Sequence, residues 1–132
     1  MEHSVELIRD AKTIAVVGVS SRADRASNEV AKYLIDAGYT VYLVNPTETE
    51  IFGMPVYDAV AEVPEPVDIV DIFRRPEDVP PVVADAIASG AKAVWMQLGI
   101  VNEAAAAEAR AAGLEVVMDR CAKIEHGKIA LG

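Results

Sequence analysis

Cysteine is nearly absent: Cys121 is the one thiol in 132 residues, so no internal disulfide can form. Histidine is almost as scarce. His3 and His126 sit far apart, and with a single thiol they make no zinc-spaced ligand set. No apolar run approaches the roughly 20 residues of a membrane span. The opening Met1-Glu2-His3-Ser4-Val5-Glu6 lacks a basic then apolar stretch, so no secretory leader is expected and the cytoplasm is the expected compartment. Positive charge is also short, and a net charge of −9 excludes a general nucleic-acid binder, which needs a basic face. Two catalytic or cofactor signatures are missing as well. The dinucleotide fingerprint G-x-G-x-x-G is absent, and Gly18-Val19-Ser20-Ser21-Arg22 lacks the last glycine of the nucleophile elbow G-x-S-x-G.

What remains is an apolar, single-domain chain, with 52% hydrophobic residues. Short apolar runs alternate with helix-like stretches. Residues 4–11 read as a leading helix and 13–18 as the first strand. A helix follows over 27–37, with Ser27 as its expected N-cap and Gly38 as its stop. Strands are expected at 40–44, 68–73, 93–98 and 115–118, with a short extended piece at 54–57. Pro76 is expected at the first position of a helix over 76–89. Asn102 is expected to cap a helix over 103–112, and the tail to hold a turn or short helix ending in an extended piece. The strands are near-continuously apolar, as when helices cover both faces. The expected fold is therefore α/β: a Rossmann-like three-layer sandwich with a mostly parallel central sheet of about five strands.

In such a sheet, ligands bind beyond the carboxyl ends of the strands, at the switch in strand order. That rule selects Gly18, Val19, Ser20 and Ser21 after the first strand, where free N–H groups and the start of a helix would face an anion. It also selects Asn45 and Pro46, then Phe73, Arg74 and Arg75, then Gln97, Gly99 and Ile100. Arg22, Arg25, Arg74 and Arg75 form two basic pairs at strand ends of an acidic protein, which suits a phosphorylated ligand. An NAD site wants an acid at the second strand end, but the chain has Asn45-Pro46, with Glu48 beyond the proline. No arginine for NADP lies between Lys32 and Arg74. Asp68 and Asp71 flank the third strand; three apart, they point to opposite faces and cannot share a site. Asp71, mid-strand, is expected to be paired or hydrogen-bonded.

Several segments occur in order: Ile14-Ala15-Val16-Val17-Gly18-Val19-Ser20, Asn45-Pro46, Asp71-Ile72-Phe73-Arg74, Trp95-Met96-Gln97-Leu98-Gly99, Asp119-Arg120-Cys121 and Glu125-His126. Together they resemble the small single-domain coenzyme A-binding proteins, relatives of the nucleotide-binding domain of the succinyl-CoA synthetase α subunit. The resemblance covers about residues 10 to 129. It implies that the cofactor is coenzyme A. The Gly18–Ser21 loop, with Arg22, Arg25 and Ser27 behind it, would meet the phosphates. Asn45 and Pro46 would border the adenosine half, Phe73 and Arg74 would line the cleft, and Gln97-Leu98-Gly99 would approach the pantetheine arm. The synthetase subunit carries a further domain with a phosphorylated histidine, which His126 does not match. The expectation is thus a binder of CoA or acyl-CoA, acting without catalysis of its own, as monomer or homodimer, and open to an unknown protein partner. Two alternatives stay open: an NAD(P)-binding oxidoreductase domain, and a protein-interaction module with a vestigial nucleotide site.

Overall fold

The computed structural model describes residues 2–131. Seven strands form one sheet in the order β3-β4-β2-β1-β5-β6-β7. They are β1 (Thr13–Val17), β2 (Thr40–Val44), β3 (Glu50–Ile51), β4 (Met54–Tyr57), β5 (Ile69–Ile72), β6 (Ala93–Met96) and β7 (Glu115–Val117). All neighbours pair in parallel except β3 and β4, which form a small antiparallel hairpin. The count exceeds five because the 54–57 piece joins β2 and then carries β3 at the edge. A two-residue turn at Phe52-Gly53, both at positive φ, closes that hairpin.

The helices are α1 (His3–Asp10), α2 (Ala26–Asp36), α3 (Val79–Ala88), α4 (Glu103–Ala111) and α5 (Ala122–Gly127). They lie on both faces of the sheet. Ile8 of α1, Val30, Ala31 and Leu34 of α2 and Ala122 of α5 pack with Ile14, Val16, Ile69 and Trp95. Val79, Val83 and Ala86 of α3 and Ala105, Ala106 and Ala109 of α4 pack with Ala15, Val17, Val70, Ile72 and Val94. Burial on both faces explains the unbroken apolar strands.

Four local expectations are corrected. Helix α2 starts at Ala26, and Arg25 rather than Ser27 holds its cap position. The helix expected from Pro76 is split into a 3-10 turn (Pro76–Asp78) and α3. Pro80 and Pro81 have no N–H to donate back to residues 76 and 77, so an α-helix can begin only where they occupy its first turn. The chain ends in a 3-10 turn (Ile129–Leu131), not an extended piece. Asp71 is fully buried, yet neither carboxyl oxygen has a hydrogen-bond partner among the described residues. Asn102 does cap α4, accepting from the Ala105 N–H at 2.9 Å.

The C-terminal helix is anchored by a buried charge. Glu125 is 1% exposed and accepts from Ser4 Oγ at 2.5 Å and from Lys128 Nζ at 2.7 Å. Burial alone would raise its carboxyl pKa, but the Lys128 and Ser4 bonds outweigh this and hold it below its ordinary value.

Candidate functional site

Strand β1 has β2 on one side and β5 on the other, so the chain order reverses at β1. The crevice forms there. The parallel ladder runs one residue past the strands: Gly18 N–H donates to Val44 at 2.8 Å, Phe73 N–H to Val17 at 2.8 Å and Asn45 N–H to Tyr57 at 2.9 Å. This brings Gly18, Asn45 and Phe73 to one rim. Gly18 has φ +88°, and a Cβ there would lie 2.1 Å from the Phe73 carbonyl oxygen. Only glycine lets the two strand ends approach this closely.

A cleft of about 610 Å³ opens above this rim. It gathers Gly18, Ser20, Arg25, Ser27, Asn45, Phe73, Arg74, Arg75 and Ile100 of the expected residues. The others lie elsewhere. Val19 is fully buried and gives its carbonyl to Asn45 Nδ2 at 2.8 Å. Arg22 is exposed and pairs with Asp24 at 3.2 Å. Ser21 sits on the loop surface. Pro46 lines a separate cavity of about 200 Å³ with Val60 and Val82. Gln97 is buried and accepts from the Ala122 N–H at 3.0 Å. Gly99 N–H donates to Asp119 at 2.6 Å.

The donors facing the cleft differ from those the loop sequence implies. The loop amides are largely occupied from within: Ser20 N–H by Ser27 Oγ at 3.0 Å, and Arg22 N–H by Ser20 Oγ at 3.1 Å. Ser27 therefore ties the loop to α2 instead of capping it. No side chain caps α2, so the N–H groups of Ala26, Ser27 and Asn28 have no intrahelical acceptor, and the positive end of the dipole opens at the cleft. Asn28 Nδ2 fixes that end by donating to the Ser20 carbonyl at 2.8 Å. Among the described residues, Arg25 and Arg74 have no carboxylate within 4 Å, whereas Arg75 pairs with Asp78 at 3.1 Å. In a chain of net charge −9, two guanidinium groups without a carboxylate partner and an uncapped helix start leave positive charge at this cleft.

A second cavity of about 370 Å³ adjoins the first and shares Ala26, Phe73 and Ile100 with it. Its wall is mainly apolar: Val30, Leu98 and Ile124, with Gln97, Cys121, Lys123 and Glu29 at its margin. Leu98 and Ile124 are 63% and 54% exposed. Lys123 is held by Glu29 at 2.7 Å. His126 stands apart; its Nδ1 lies 2.7 Å from the Tyr33 hydroxyl, within a cluster that includes Tyr39. Among the described residues no group of three His, Cys, Asp or Glu could hold a metal ion, and no helix is long and apolar enough to cross a membrane.

Sequence reasoning misses Thr47, Glu48 and Pro76 in the cleft wall, and Lys123 and Ile124 in the apolar pocket. Glu48 does bring an acid to the second strand end, but Oε2 is turned to the Ser21 N–H at 2.7 Å.

Comparison with known proteins gives this arrangement its relatives. A family described as the CoA binding domain matches residues 12–127. An uncharacterized protein of Bacillus subtilis, YneT, is 41% identical over 121 residues, covering 92% of this chain and 90% of YneT. A hypothetical protein from Pyrococcus horikoshii superposes with a TM-score of 0.93 at 40% identity, over 98% of this chain and 90% of the other. The ADP-forming acetate–CoA ligase I of Archaeoglobus fulgidus is 38% identical over 74 residues, 56% of this chain but 11% of the ligase.

Proposed function

The chain belongs to the CoA-binding domain family, and from that premise we propose that it binds coenzyme A or an acyl-CoA across the two adjoining cavities, as a carrier or sensor without catalysis of its own. The observation that carries the reading is the pair of arginines, Arg25 and Arg74, left without carboxylate partners beside the uncapped start of α2. Coenzyme A brings a pyrophosphate and a 3′-phosphate, and so needs more positive charge than NAD. The helix start and Arg25, Arg74 and Arg75 supply it, with Ser20 and Ser27 as hydroxyl-bearing neighbours.

The remaining sites follow the shape. Asn45 borders the adenosine half, while Pro46, on the separate cavity, stays outside it. The pantetheine arm passes Phe73 and Ile100 into the apolar pocket, where Gln97 and Gly99 flank it and the thioester end meets Leu98, Ile124 and Cys121. Apolar lining with a few polar groups suits an arm of methyl and methylene groups interrupted by amides. The protein then acts as a cytoplasmic binding module that hands its ligand to another protein.

Arg74→Ala is the direct test. A charge-assisted hydrogen bond to phosphate contributes about 1.5–3 kcal/mol, so CoA affinity should fall roughly tenfold to a hundredfold. The salt dependence of binding should flatten with it, while circular dichroism and thermal midpoint stay as in wild type. Arg22→Ala, whose side chain pairs with Asp24 outside the cleft, should change affinity less than about twofold. Equal, small effects from both variants would remove Arg74 from the site.

A further inference from the structure

In the loop after β1, the Ser20 and Arg22 amides donate to serine hydroxyls. The Ser21 amide, on the loop surface, donates instead to the carboxylate of Glu48, which comes from a different segment and lines the cleft. That position is constructed. Asn45 Oδ1 accepts from the N–H and Oγ1 of Thr47 at 3.0 and 2.8 Å, its Nδ2 holds the Val19 carbonyl, and Glu48 N–H donates back to the Asn45 carbonyl at 3.2 Å. The turn is thereby tied to the loop, and Glu48 is delivered onto the amide. Among the described residues Glu48 pairs with no cation within 4 Å, although Arg25, Arg74 and Arg75 line the same cleft. The carboxylate is engaged by an amide, and Arg25 and Arg74 stay free.

A carboxylate and a phosphate oxygen are the same kind of acceptor to a backbone N–H. We propose that Glu48 is an internal competitor for the anion position of the loop: its side chain holds the Ser21 amide until a ligand phosphate displaces it, and so it sets the affinity threshold of the cleft for phosphorylated ligands. The inference rests on the proposed CoA reading for the identity of the natural ligand, but its chemistry concerns any phosphate that reaches Ser21. Displacement weakens every such ligand by the same factor, because the closed state must open first. It leaves untouched a ligand fragment that never reaches the loop. The competitor therefore leaves the affinity ratios among phosphorylated ligands unchanged and raises the concentration each one needs, so that ligands with further anchors at the arginines and in the apolar pocket still fill the cleft.

The test compares wild type with Glu48→Gln and Glu48→Ala by calorimetry, using CoA, inorganic pyrophosphate and pantetheine, and follows the Ser21 amide by NMR. Both variants should bind CoA and pyrophosphate more tightly by a common factor of about tenfold, with pantetheine unchanged and the Ser21 amide shifted in the free variants. Weaker CoA binding in Glu48→Gln would overturn the proposal and make Glu48 a ligand contact. Unchanged affinity for both phosphates would overturn it too. Tighter pyrophosphate binding in variants that, like wild type, ignore CoA would uphold the competitor and defeat the CoA reading. Absence of any anion binding in all three proteins would defeat both.

Discussion

Gly18→Ala is expected to lower folding stability by about 3 kcal/mol and to abolish ligand binding. Two penalties add. A left-handed backbone costs a residue with a Cβ about 1–2 kcal/mol, and Gly18 sits at φ +88°. The new methyl would also lie 2.1 Å from the Phe73 carbonyl oxygen, a backbone atom that cannot rotate away. Relieving that contact pushes apart the ends of β1 and β5, and overpacking of this kind costs about 1–3 kcal/mol. Phe73 N–H is bonded to Val17 and Gly18 N–H to Val44, so the displacement strains three strand ends together. Gly99→Ala is the control. Gly99 has φ +83°, but a methyl added there would meet nothing within 4 Å, so it should lose only the conformational part, about 1 kcal/mol. Urea unfolding of the two variants measures the difference. Equal losses would show that the strand ends separate freely and that the close approach is not a requirement of the cleft.

Asp71→Val should stabilise the protein by about 2 kcal/mol near pH 4, the cost of a buried polar group without partners, and by more at pH 8. Asp71 lies at the middle of the sheet, in register with Val16 on β1 and Trp95 on β6. Trp95 cannot serve it, because the indole N–H donates to the Arg120 carbonyl at 2.8 Å. Burial raises the Asp71 pKa well above its ordinary 3.8, so the folded protein keeps this proton while the unfolded chain loses it. The sign follows. Where the folded state holds one more proton than the unfolded state, stability falls as pH rises, by about 1.4 kcal/mol per unit. The contribution is intact below about pH 4 and is lost as pH climbs to the raised folded value, above which the slope ends. Asp71→Asn keeps the shape but cannot titrate. Wild type minus Asp71→Asn, measured by urea unfolding at several pH values, should fall steadily with pH. A flat difference would mean that the carboxyl is ionised in the folded state.

Much of this architecture is legible in the sequence, for a reason that also marks the limit. Strands buried on both faces must be apolar runs, so β1, β2, β5, β6 and β7 stand out, and topology alone then points to the residues after them. Local chemistry is less visible. Glu50–Ile51 is too short to show periodicity, and it becomes a strand only because β4 pairs with it. Ser27 has the composition of a cap, but the loop's Ser20 amide claims its hydroxyl. The proline at 76 reads as a helix start until Pro80 and Pro81 are counted against the hydrogen bonds they cannot make. Pro46 turns the chain away before Glu48, which hides that acid in the sequence; the turn pinned by Asn45 brings it back over the loop. The isolation of Asp71 depends on what lies across the sheet face. Val30, Ala31 and Leu34 of α2 are apolar, and no spacing in the strand itself announces this.

The most direct test is isothermal titration of the protein with coenzyme A, with NAD, NADP and ADP in parallel, after native mass spectrometry has checked for retained ligand. One CoA per chain with a micromolar dissociation constant, about −8 kcal/mol, and no heat from NAD is the predicted result. Silence toward CoA from an empty protein, or NAD binding of equal strength, would contradict the account.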